Sequence, residues 1–105
     1  MLYLILFTYR APLEQLDRIL PAHRAHLQAH YESGHFLMSG PFSPREGGGV
    51  LARGASRVEI EAIVARDPFV VEDLVEAVCL AWRWLGDGGG RAAGAPVAFN
   101  IGTGK

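Results

Sequence analysis

With Cys79 as its only cysteine, this 105-residue chain cannot close an internal disulfide. That thiol lies in the apolar run VEAVCLAW, which favours a buried small hydrophobe over a reactive nucleophile. Charge of one sign is also scarce: 10 Lys and Arg against 11 Asp and Glu leave a formal net charge of −1. Phosphate backbones are bound by a marked excess of cations, so the balance argues against a nucleic-acid partner. The apolar start MLYLILFTYR is too short to span a bilayer, and it lacks the basic opening and small-residue cleavage site of a signal peptide. A cytoplasmic protein without a membrane partner is the expectation. Several catalytic signatures are missing too. No HExxH metal motif occurs, no nucleophile elbow surrounds Ser39, and EGGG at 46–49 neither ends in GK[ST] nor opens a helix.

What is present is a globular composition, with half the residues hydrophobic, in a length that fits one domain. A domain this small leaves much apolar surface uncovered, which makes burial against a second copy attractive. Residues 2–9, LYLILFTY, form a continuous apolar run and read as a strand buried on both faces at the centre of a sheet. From 13 to 33 the period changes. Leu13, Leu16, Leu20, Leu27 and Tyr31 share one stripe of an amphipathic helix, which Gly34 stops. Pro21 either kinks this helix or begins a second one.

Residues 35–42, HFLMSGPF, read as a second strand, and SPREGGG reads as the hairpin loop leading to a third strand, VLAR at 50–53. Ser56 and Glu59 have capping-box spacing before the helix VEIEAIVAR. That helix runs to Asp67-Pro68, because the residue before proline is pushed out of helical geometry. A turn, FVVED, then precedes a fourth strand at 74–84. The order βαββαβ predicts an α+β, ferredoxin-like fold: a four-stranded antiparallel sheet with two helices on one face. Tyr3, Phe7, Phe36 and Trp82 are expected to need cover on the other face, and pairing of two sheets in a homodimer supplies it. The domain spans 1–85. Residues 86–105 are a Gly/Ala-rich linker and tail, in which PVAFNIGTGK either trails or docks on a sheet edge.

Reactive chemistry is concentrated in a few side chains. His23, His26 and His30 fall within about 60° of one another on a helix, so a metal site on His26 and His30 is one reading. Without a matching glutamate, and beside an apolar stripe, flanking surface positions are the other. His23 sits nearest the stripe's centre, either as a satisfied, partly buried histidine or as a general acid or base. A carboxylate that fixes its tautomer would favour the second role, and Asp67 is the candidate; as a helix-stop residue it also has a purely structural reading. Gly40 would allow close approach of a ligand, and Ser39 would donate a hydrogen bond to it. Tyr3, Phe7, Phe42 and Phe69 would supply apolar walls.

The ordered set of the opening strand, PAHRAHL at 21–27, Gly34, SGPF at 39–42, GGV at 48–50 and DPF at 67–69 resembles the YCII-related (YciI-like) family. The resemblance covers about residues 1–84. It implies two ferredoxin-like subunits paired as a dimeric α+β barrel, with a His–Asp dyad at His23 and Asp67. Ser39, Gly40 and Pro41 would line the same pocket. Relatives with such barrels include a dehydrochlorinase of a chlorinated hydroxyquinol, muconolactone isomerases and small monooxygenases. The function expected is therefore acid/base elimination or isomerisation of a small cyclic or aromatic molecule, without cofactor or metal. A non-catalytic dimer that binds a small ligand, or serves as an accessory module, is the alternative.

Overall fold

The computed structural model describes residues 1–83, 85 and 86. The tail from residue 87 and the expected end of the last strand at residue 84 lie outside them. The elements are β1 (Leu2–Tyr9), α1 (Leu13–Glu32), β2 (Phe36–Pro41), β3 (Gly47–Arg53), α2 (Arg57–Ala65), a one-turn α3 (Pro68–Val71) and β4 (Val75–Trp82). The four strands form one antiparallel sheet in the order β2-β3-β1-β4. This is the ferredoxin-like α+β arrangement, with α3 added where a turn was expected.

Local chemistry accounts for the boundaries. Gly34 ends α1 at φ 84°, a left-handed backbone that a side chain would strain. Ser56 caps α2 by accepting from the backbone N–H of Glu59 at 3.2 Å, while the Glu59 carboxylate accepts from Ala55 N at 3.0 Å. Pro21 lies inside one unbroken α1. It removes the hydrogen bond its N–H would have made to the carbonyl of Asp17, at a solvent-exposed position. The third strand begins three residues before the expected Val50, because the glycine run belongs to the sheet. A Cβ at Gly47 would lie 2.0 Å from the Phe7 carbonyl oxygen, so only bare backbone lets β3 approach β1 there.

The core lies between the sheet and the helices. Tyr3, Ile5 and Phe7 of β1, Val50 and Ala52 of β3, and Phe36 of β2 face Leu16 of α1 and Ile60, Ile63 and Val64 of α2. Burying each large aliphatic or aromatic side chain contributes about 1.5–3 kcal/mol. Strand register corrects one expectation. Tyr3, Phe7 and Phe36 lie beneath the helices, because Tyr3 pairs with Ala52 and Phe36 pairs with the same alanine. Trp82 pairs with Leu2, on the opposite, helix-free face. On that face β1 is only half-buried rather than enclosed on both sides: Leu2, Leu4 and Leu6 are partly covered, and Val78, Leu80 and Trp82 of β4 are exposed. Among the described residues no helix is long and apolar enough to cross a membrane.

Candidate active site

His23 projects from the middle of α1 toward the N-terminus of α3. Its Nδ1 lies 2.9 Å from both carboxylate oxygens of Asp67, 44 residues away in sequence. Asp67 is 1 % exposed, and it is the one buried charged residue among those described. It is held from two sides, because Oδ1 also accepts from the backbone N–H of Phe69 at 2.9 Å. Pro68 explains this placement: it keeps Asp67 extended as the N-cap of α3, with the carboxylate turned back over the helix start.

The carboxylate dictates the proton's position on the ring. An ionised Asp is acceptor-only, so Nδ1 carries the hydrogen and donates it. Neutral His23 therefore keeps its lone pair on Nε2, the nitrogen available for acid/base work. Orientation is set by packing as well. The imidazole stacks on Phe69 with ring centroids 4.0 Å apart and planes 10° apart, and it meets Phe7 edge-on at 6.2 Å.

Beside this ring opens a cleft of about 470 Å³, within the range of small-molecule sites. Of the residues expected to form it, His23, Ser39, Gly40, Pro41, Phe7 and Phe69 line it. Asp67 stands behind His23 and does not. Tyr3 is in the core under the helices, and Phe42 lies against Gly49, about half-exposed; neither forms a wall. Ser39 is hydrogen-bonded to the Tyr31 hydroxyl, which fixes it at the cleft edge. Gly48 presents bare backbone; a Cβ there would be 2.8 Å from the Gly40 carbonyl oxygen. Sequence reasoning missed Tyr9, Arg24 and Arg45, which also line the cleft. Arg24 stands inside the quoted PAHRAHL motif, so a signal was in view. Arg45 comes from the hairpin loop and had none.

The other histidines are not simple surface residues. His26 and His30 pack against Phe36, and His26 Nε2 and His30 Nδ1 are buried without a hydrogen-bond partner. Burial is the main cause holding both below the ordinary histidine value. For His26, the Asp67 charge and the nearby Ile63 backbone oppose that effect, while His23 and Arg66 add to it. For His30, the charges of His26, His35 and Arg66 add to it. The consequence has a definite sign. Between about pH 6.5 and the lowered folded-state values, the unfolded chain binds these protons first, so stability present above pH 6.5 is lost as pH falls. The urea midpoint should drop from pH 7.5 to pH 5.5, and by less in a His26→Gln/His30→Gln variant. An equal drop in both proteins would contradict this assignment.

Among the described residues no group of three or more His, Cys, Asp or Glu side chains is placed to hold a metal ion. Cys79 is half-buried, and burial pushes its thiol up, with the Arg57 charge opposing. That environment disfavours the thiolate a nucleophile needs.

Fold and site together define a ferredoxin-like α+β domain with a carboxylate-anchored histidine on the wall of a cleft. The sequence matches the YCII-related domain over residues 1–83, and the chain belongs to that family. No curated protein matches it. Among solved structures it is similar to the 5-chloro-2-hydroxyhydroquinone dehydrochlorinase of Burkholderia phenoliruptrix AC1100, determined with 2,5-dihydroxybenzoquinone. The TM-score is 0.69 at 22% identity, over 79% of this chain and 94% of that one, and the likeness is one of fold.

Proposed function

We propose that the protein is an enzyme of acid/base chemistry on a small cyclic or aromatic molecule, with His23 as the proton carrier. One observation carries this reading: a histidine lining a cleft has its far nitrogen held by a buried carboxylate. In an elimination, Nε2 removes a proton from the ligand. The electron pair of the broken bond forms a new double bond, and the leaving group departs with its own bonding pair. In an isomerisation, the imidazolium returns the proton to a different atom. Asp67 orients the ring and stabilises its cationic form, while Phe7, Phe69 and the Ser39–Gly40–Pro41 segment shape the space around the ligand. The reading assigns no cofactor. The fold relative's chlorinated hydroxyhydroquinone supplies a first test compound.

The test follows chloride release from 5-chloro-2-hydroxyhydroquinone, and solvent deuterium uptake into a panel of small cyclic ketones and phenols. Wild-type protein should turn over at least one compound, and His23→Asn should lose about 10²–10⁴-fold of the rate. Full turnover by His23→Asn would reject the mechanism. Ligand binding without turnover in either protein would instead describe a binding module.

The same proposal includes a homodimer in which a second copy covers the helix-free sheet face. Its support is the apolar strip of Leu2, Leu4, Leu6, Val78, Leu80 and Trp82, which is incompletely buried in one chain. Light scattering should give twice the chain mass, and Leu80→Asp should halve it. A wild-type monomer at micromolar concentration would sink this part. A cytoplasmic setting completes the reading, supported by a lone thiol outside any disulfide.

A further inference from the structure

The cleft beside His23 is charged in one sense only. Two arginines line it, Arg24 and Arg45, and no Asp or Glu does, in a chain that carries more acids than bases. The two cations differ in what else they touch. Arg45 is bound to Asp17 at 2.7 Å and lies 5.8 Å over the Tyr9 ring, so its charge is largely answered by the protein. Arg24 has no ion pair and no side-chain hydrogen bond among the described residues. Its own helix offers no carboxylate: the positions three and four residues away are Leu20, Pro21, Leu27 and Gln28. It follows His23 directly in α1 and borders the same cleft.

We propose that this cleft takes an anionic ligand, a small planar organic acid whose charged oxygen is held by Arg24 while its ring lies against His23. This names the ligand class for the site assigned above and rests on that assignment. The guanidinium recognises a carboxylate or ionised hydroxyl through paired N–H donors, and Arg45, fixed by Asp17, adds positive potential. Holding the acid at one end also settles which ligand atom is presented to Nε2. Electrostatic recognition at the cleft edge weakens with salt.

Benzoate and benzamide have nearly the same shape and differ in charge, which makes them suitable probes. Their binding to the full chain is measured by calorimetry at low salt, with the His23 ring resonances recorded by long-range ¹H–¹⁵N NMR. Benzoate should bind at least about tenfold more tightly and perturb His23, and the preference should shrink on adding salt. Arg24→Gln should remove most of the benzoate preference, leaving only what Arg45 supplies, and Arg24→Lys should keep more of it. Equal binding of the two probes with His23 perturbed, or a preference unchanged in Arg24→Gln, overturns the charge assignment alone. Probes that leave His23 unperturbed, or that do not bind, overturn both this assignment and the cleft as the ligand site.

Discussion

Asp67→Asn is expected to slow turnover by about 10²–10⁴-fold, equivalent to about 2.7–5.4 kcal/mol of barrier, with little change in KM. The size of the effect follows from hydrogen-bond direction. In the native pair both carboxylate oxygens accept from His23 Nδ1, and Oδ1 also accepts from Phe69 N. An asparagine keeps the second bond by pointing its oxygen at Phe69, which turns its NH₂ toward Nδ1. A donor then stands where Oδ2 accepted, 2.9 Å from Nδ1, and only the neutral amide oxygen already shared with Phe69 N is left to accept from the ring. The ring escapes by moving its proton to Nε2, which removes the lone pair from the ligand's side. Long-range ¹H–¹⁵N spectra of the free protein should therefore show protonated Nδ1 in the wild type and protonated Nε2 in the variant. A kcat within threefold of wild type, or an unchanged tautomer, would show that Asp67 does not position His23.

Phe69→Ala should cost about 3–5 kcal/mol of stability, the largest loss expected from one truncation around the site. The ring is 2 % exposed, stacks on His23 and meets Tyr9 edge-on at 6.2 Å, so three elements lose packing and a cavity opens beside the cleft. Phe69→Leu, which keeps most of the volume, should cost much less but leave the imidazole without its flat support. Urea denaturation at fixed protein concentration reads both, since any dimer couples stability to concentration. A loss below 1 kcal/mol for Phe69→Ala would mean that the ring is dispensable to the core.

Much of the scaffold was legible because short-range rules governed it. The β1 run, the α1 stripe, the Gly34 stop, the Ser56 cap and the extended Asp67 each follow from neighbours in sequence. Facing was less legible. A continuous apolar run carries no period-2 signal, so Tyr3 and Leu4 looked alike until register placed one under the helices and the other on the open side. The glycine triplet suggested a loop because strand propensity counts side chains, whereas here strand approach demanded none. The His23–Asp67 pairing was readable as a possibility from two residue types. Its geometry depends on where α3 docks against α1, a tertiary fact. The burial of His26 and His30 against Phe36 is of the same kind.

The bare stretch at Gly47 and Gly48 also bears on how such a protein can diverge. A methyl group added at Gly47 would collide with β1, and one added at Gly48, which lines the cleft, would crowd β2, so amino-acid exchange has little purchase on this stretch. More open positions border the same cleft: Arg24 is exposed, and so is most of the loop bearing Arg45. Mutational drift in this architecture would thereby be channelled away from the glycine stretch and toward the exposed positions beside it.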